Sequence, residues 1–243
     1  MKPVHFFRWA TILAGVLMPF MHTSLAGEVV GQERIITADV NDVAGPLDTS
    51  FKECVGAGRA NEGLRADWQD QLREARRECG FKYIRMHGLL TDDMGVYQED
   101  AHGNPSYNWQ YIDQLYDILL SIDVKPFVEL SFMPRDLASG DNTVFWWHGN
   151  ITPPKSYGKW ADLIRHLVTH FQERYGHDEV KSWYFEVWNE PDLHDVFFTG
   201  TKTDYFKLYE VTAKAIKSVS PDYRVGGPAT AMGHWDESFI DFC

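Results

Sequence analysis

The stretch "SWYFEVWNEPDL", residues 182–193, places two glutamates, Glu186 and Glu190, in an aromatic, strand-like run that Pro191 brings to a stop. A strand buried on both faces reads as a nearly continuous apolar run. An ionised carboxylate taken out of water is costly unless it is paired. Either these glutamates have partners, or one of them performs chemistry.

Outward from this strand a rhythm runs in both directions. "FKECVGAG" reads as a first strand. Leu64, Trp68, Leu72, Ala75 and Cys79 then mark one face of a helix, with Gly80 as its C-terminal stop. "FKYIRMHG" reads as a second strand, and after a loop a helix opens near Asn108 with Trp109, Ile112, Leu115, Leu119 and Ile122 on one face. "VKPFVELSF" is a third strand; a long loop leads to a helix carrying Trp160, Ile164, Leu167 and Phe171, closed by Gly176. Beyond the opening stretch, Phe206, Tyr209, Ala213 and Ile216 predict a helix stopped by Pro221, and "YRVGGPAT" a fifth strand. Ahead of all this, "ERIITADV" is β-like and "NDVAGPLDTS" a loop.

Alternating strands and helices imply a parallel sheet with helices outside. The loops after strands two, three and four are long and rich in aromatics and charge, as in a (β/α)8 TIM-type barrel, where those loops build the active site. Only about the first five βα units are visible before the chain stops at "SFIDFC". A closed barrel takes ~250 residues, so the expectation is the N-terminal portion of a longer catalytic domain, spanning 27–243. The alternative is an open doubly wound sheet. Against it, no G-x-G-x-x-G loop follows a strand; "GAGRANEG" lacks the spacing.

Residues 1–26 read as a signal peptide: Lys2 and Arg8, an apolar stretch from Trp9 to Met21, then Ser24-Leu25-Ala26 as a small-x-small cleavage site. An uncleaved anchor is the competing reading, but the stretch is shorter than the ~20 residues a spanning helix needs. A secreted or periplasmic protein beginning at Gly27 is expected. With net charge −12 the chain should repel nucleic acid and hold no stable association with anionic membrane. Cys54, Cys79 and Cys243 are too few for a disulfide scaffold. Export allows one bridge, Cys54 to Cys79, against the alternative of two buried thiols.

Charged residues fall inside three strands: Arg85, Glu129 and Glu186. Glu129 and Glu186 read as buried structural ions with Arg85 as their counter-charge. Glu190 differs by position. It stands at a strand's C-terminal end beside Asn189, and His87 ends strand two in the equivalent place. A carboxyl group, an amide and an imidazole amid aromatics suit a sugar, whose apolar face stacks on rings and whose hydroxyls take polar groups. For His87 alone, a satisfied core histidine would be the plainer reading.

"FEVWNEPDL", with "FKYIRMHGLLTDDMGVY", "KPFVELSFMP", "HGNITPPKSYGKWADLI" and "FKLYEVTAKAIKSV", resembles glycoside hydrolase family 39, the clan-A barrel family of β-xylosidases and α-L-iduronidases. The resemblance implies Glu190 as general acid/base, Asn189 on the sugar 2-hydroxyl, His87 on hydroxyls of the −1 sugar, and Arg85 supporting the carboxylates from below. It places the nucleophilic glutamate on strand seven, beyond this sequence. Retaining glycosidases need two carboxyl groups ~5–5.5 Å apart. Trp183, Trp188 and the "FWWHG" loop would shape the subsite and exclude water. No His, Cys and carboxylate cluster at ligand spacing appears, so neither metal nor cofactor is expected.

Neutral xylose is favoured as the sugar. A uronate needs basic groups, and the loops offer little beyond Arg135, Lys155 and Lys202. An α-L-iduronidase-like enzyme, another clan-A glycanase, and an inactive carbohydrate-binding fragment remain as alternatives, and a homo-oligomer is left open. The address makes a direct prediction: N-terminal sequencing of the exported protein begins near Gly27, and a membrane-bound form retaining Met1 would contradict it.

Overall fold

The computed structural model describes residues 34–43 and 45–243, and the signal sequence read at 1–26 lies outside them. The chain divides into two units, at Pro46 and Leu47. In the first, the β-like run pairs with no strand among the described residues: Arg34–Val40 is irregular and exposed throughout. Ile35 and Ile36 are adjacent, so no single face of such a strand would collect the apolar side chains.

The second unit is an α/β layer built on five parallel strands: β1 (Cys54–Arg59), β2 (Tyr83–His87), β3 (Lys125–Leu130), β4 (Tyr184–Val187) and β5 (Arg224–Gly226). Their order in the sheet is their order in the chain. A doubly wound sheet reverses strand order at a switch point; this one does not. Among the described residues β1 and β5 each pair on one side only, so the sheet is open.

Side chains alternate across the strands. Ile84, Met86, Val128, Leu130, Phe185 and Val187 are buried under the helices. Tyr83, Arg85, His87, Phe127, Glu129, Tyr184 and Glu186 take the other parity. The register sets Arg85 level with Phe127, and Glu129 level with Glu186 and so with Gly226.

The helices follow the sequence closely. α1 (Ala66–Cys79) ends at Gly80, whose φ of 75° is the left-handed cap that glycine adopts at no steric cost. α2 (Gln110–Ser121) and α3 (Tyr157–Tyr175) bury the expected apolar stripes, and a short α4 (His177–Lys181) precedes β4. In α5 (Lys202–Val219) Ile216 is buried as expected, but the rest of the face is turned by one residue: Tyr205, Leu208, Thr212 and Ala215 face inward. Thr212 accepts the Trp160 indole N–H at 2.8 Å, tying α5 to α3. Phe206 and Tyr209 pack instead against Phe239 of α6 (Asp236–Phe242), which supplies a second apolar surface. Cys54 and Cys79 form no bridge and neither is buried. Cys54 opens an edge strand, and Cys79 ends α1 outside its buried stripe.

Two short hairpins, Tyr97–Glu99 with Pro105–Tyr107 and Thr143–Val144 with Gly149–Asn150, stiffen the long loops after β2 and β3. The first is anchored by Glu99. Burial alone would raise its pKa, but hydrogen bonds from Lys159, Lys155 and Tyr97 outweigh burial and hold it at about 2. Because this carboxyl is depressed below its ordinary ~4.3, its stabilisation is complete above that pH and is lost as pH falls toward about 2. Thermal unfolding of Glu99→Gln should therefore fall well below the wild type at pH 7, with the gap closing by pH 2–3 (about the folded pKa). A gap that stays constant would remove this cluster as its source.

Candidate active site

The sheet face opposite the helices carries charge, and its neutralisation organises everything above it. Arg85 Nε donates to Glu186 Oε2 at 2.5 Å, and its Nη2 lies 2.9 Å from Glu129 Oε2. The same Nη2 donates to Asn189 Oδ1 at 3.0 Å. The Glu129 side chain is wholly buried, and Glu186 nearly so. Burial works against the Arg85 charge, but Glu129 and Glu186 together hold its pKa above the ordinary value. For Glu186 burial wins: its pKa is raised despite the hydrogen bond from Arg85. The two strand glutamates are thus paired ions sharing one guanidinium.

His87 joins the same cluster, with Nδ1 2.7 Å from Glu129 Oε2. Glu129 also accepts from the Ser131 hydroxyl. A carboxylate only accepts, so Nδ1 carries the proton and Nε2 is left for another partner. The rings of Phe132 and Phe145 flank His87 at 6.5 and 6.3 Å.

Glu190 stands apart. Tyr184–Val187 is regular strand, after which the backbone turns through left-handed φ at Trp188 (74°) and Glu190 (42°). Such conformations are costly for non-glycine residues and collect at functional sites. The turn is held by the Glu190 N–H donating to the Ala229 carbonyl at 3.0 Å and by the Leu193 N–H donating to Glu190 O. It also explains why strand parity alone could not place Glu190. Among the described residues its carboxylate makes no hydrogen bond or ion pair, and the residue is only partly buried. Asn189, one residue back, is buried at 4 % exposure and fixed by Arg85.

The structure therefore brings Asn189, His87 and Arg85 into one hydrogen-bonded network, with Glu190 adjacent and unengaged. The tryptophan expectation needs correction. Trp183 precedes β4, at the opposite end of the strand, where its indole N–H donates to Glu179 and it packs on Tyr116 and Phe171. It is core, because a residue before the strand cannot reach the strand's C-terminal end. Trp188 is buried behind the site, edge-on to Phe132 and Phe198. Phe132 and Phe145 face His87, and Trp147 and Phe197 pack against those two rings. Phe132 ends the third predicted strand but was not singled out, and Phe197 had no strand-end signal to mark it. Ser131 likewise becomes visible only through its bond to Glu129.

A parallel sheet crowned at its C-terminal end by a carboxyl group, an amide and an imidazole within an aromatic wall defines the class. The chain belongs to the glycosyl hydrolases family 39, whose profile matches residues 34–243. It is 51% identical over 199 residues to a beta-xylosidase of Geobacillus stearothermophilus, covering 80% of this chain and 40% of that protein. It is 50% identical over 208 residues to a beta-xylosidase of Caldicellulosiruptor saccharolyticus, covering 86% and 43%. Among solved structures, a monomeric beta-xylosidase from Caulobacter crescentus CB15 superposes with a TM-score of 0.78 at 44% identity, over 83% of this chain and 41% of that one. The chain thus spans about two fifths of the length of these relatives.

Arg85 is the testable keystone. Arg85→Met strands two carboxylates in the sheet and should cost about 3–5 kcal/mol at pH 7. The deficit should shrink as pH falls, because unpaired buried carboxyls have raised pKa values and protonation relieves them. Urea unfolding at pH 7 and near pH 4.5 measures both, and a pH-independent deficit would mean the ion cluster is not what was lost.

Proposed function

We propose that the complete protein is an exported, retaining β-xylosidase in which Glu190 is the general acid/base. In this reading the five βα units are the first part of a (β/α)8 barrel, and the nucleophilic carboxylate is supplied from outside the present chain. The single observation that carries the assignment is the state of Glu190. Of the carboxylates at this end of the sheet, Glu129 and Glu186 are committed to Arg85, while Glu190 is unengaged at the end of β4. A proton donor and acceptor has to be free to exchange its proton.

In the first step the nucleophile attacks the anomeric carbon, the glycosidic C–O bond breaks, and the leaving oxygen takes the proton of Glu190. In the second, Glu190 removes a proton from water as that water attacks the same carbon and expels the nucleophile, so configuration is retained. Asn189, held by Arg85, is oriented for the 2-hydroxyl, and His87 Nε2 is left available for another hydroxyl. Arg85 acts through its neighbours as a positioning residue.

A neutral pentose is the sugar this arrangement favours. The basic groups a uronate would need are engaged: Lys155 lies 2.9 Å from Glu99, Arg135 lies 3.4 Å from Asp92, and Lys202 donates to the Ser238 hydroxyl. The sequence similarity to beta-xylosidases supports the same choice.

Glu190→Ala in the complete enzyme should slow cleavage of xylosides with poor leaving groups by about 10²–10⁴-fold. Aryl xylosides with acidic phenols should suffer less in the first step, and azide should then accelerate turnover, giving a β-xylosyl azide. Azide rescue at Glu186 instead, or a product of inverted configuration, would overturn the assignment. The 243-residue chain alone should hydrolyse nothing; xylosidase activity from it would mean that a carboxylate already in view is the nucleophile.

A further inference from the structure

The tip of the hairpin after β3, Phe145 to His148, crosses the ends of β2 and β1, and each residue of it is held differently. Phe145 and Trp147 stack on one another with centroids 5.1 Å apart. Trp147 is wedged where Gly88 and Gly149 lack a Cβ: one built at Gly88 would meet its ring at 3.0 Å, and one at Gly149 at 2.8 Å. The turn closes by the His148 N–H donating to the Phe145 carbonyl, and both residues adopt left-handed φ, 62° and 57°. Between them Trp146 is 76% exposed.

An exposed indole by itself means little. What lies beneath this one carries the argument. Arg59, the last residue of β1, sets its guanidinium 4.7 Å from the Trp146 ring centroid and 5.4 Å from that of Trp147. Its side chain is only 13% exposed, and Nη1 is fixed by Asp93 Oδ2 at 2.6 Å. Asn61 ties Asp93 down in turn through the Asp93 carbonyl. Yet Arg59 Nε and Asp93 Oδ1 are buried without hydrogen-bond partners. Buried polar groups are rarely left so. Arg59 Nε lies 3.9 Å from Glu62 Oε1, beyond hydrogen-bond reach, and the guanidinium is set over two indole rings instead.

We propose that Trp146 is a stacking platform for the second sugar ring of a xylo-oligosaccharide, next to the ring held against His87, and that Arg59 is the positioning residue that fixes the platform's angle. The guanidinium occupies one face of the indole and leaves the other for the apolar face of a pyranose. Phe145, 6.3 Å from His87 and 5.6 Å from Phe197, joins the platform to the site. The proposal rests on the reading of that site as a xyloside pocket.

The test uses the complete enzyme and compares xylobiose with methyl β-xyloside, which has no second ring. Trp146→Ala should lower kcat/KM about fivefold or more further for xylobiose than for methyl β-xyloside, mainly through KM. Arg59→Met should shift the ratio the same way, Arg59→Lys should restore part of it, and the double variant should lose no more than Trp146→Ala alone. Equal losses on both substrates, or additive losses in the double variant, would overturn the proposal. Xylobiose titrated into the complete Glu190→Gln enzyme should change tryptophan emission, and Trp146→Phe should abolish that change. This arm decides the platform even where Arg59 variants fail to fold; no emission change rejects it. A wild type that cleaves neither xyloside defeats the activity reading separately.

Discussion

One guanidinium shared between two buried strand glutamates is the constraint on which the rest of the site depends. Arg85 sits level with Phe127, one layer below the level of Glu129 and Glu186, and reaches up to both. Parallel strands alone would not hold two carboxylates side by side, since in an apolar sheet they would repel and shed charge. With Arg85 in place they become fixed acceptors. Glu129 then selects the His87 proton position, and Arg85 selects the Asn189 orientation. A buried ion cluster is weak evidence of stability, because a packed apolar replacement often does as well. Its better-founded use here is to specify where polar groups point.

Much of this was legible in the sequence because the signals were physical and local. A charged residue inside an apolar strand is anomalous, and the three anomalies resolve together, both glutamates pairing with Arg85. Helix stripes of period 3.6 with glycine stops at Gly80 and Gly176 gave α1 and α3 nearly to the residue. The one-residue turn of α5 was not legible, since its face depends on α6, a second apolar surface presented by a distant segment. Trp183 and Trp188 were misread because composition records that a residue is aromatic, not which end or side of the sheet it occupies. The run 34–40 has β-like composition but forms no strand among the described residues, because composition alone does not make one.

The Arg59 cluster shows a different limit. Nothing local in "GAGRANEG" says that Arg59, at the end of β1, will lie under two tryptophans in the loop after β3, two βα units further along the chain. Non-local pairings of this kind carry no periodicity, and only the fold places them together.

Glu129 and Glu186 stand level in adjacent strands and Glu190 lies just past the end of β4, and their environments differ in kind. Glu129 accepts from His87 and Ser131, is ion-paired with Arg85 and is sealed from solvent; Glu186 is pinned by Arg85. Moving a proton to or from either would break bonds that the fold has already made, so the cost of the step would be added to the barrier. Glu190 carries no such bonds among the described residues, and it is set by backbone contacts to Ala229 and Leu193 that leave its side chain free. The fold therefore holds the main chain of this residue firmly and leaves its carboxyl group uncommitted. That combination suits proton transfer better than it suits structure, and it is the ground on which Glu190 is proposed as the acid/base.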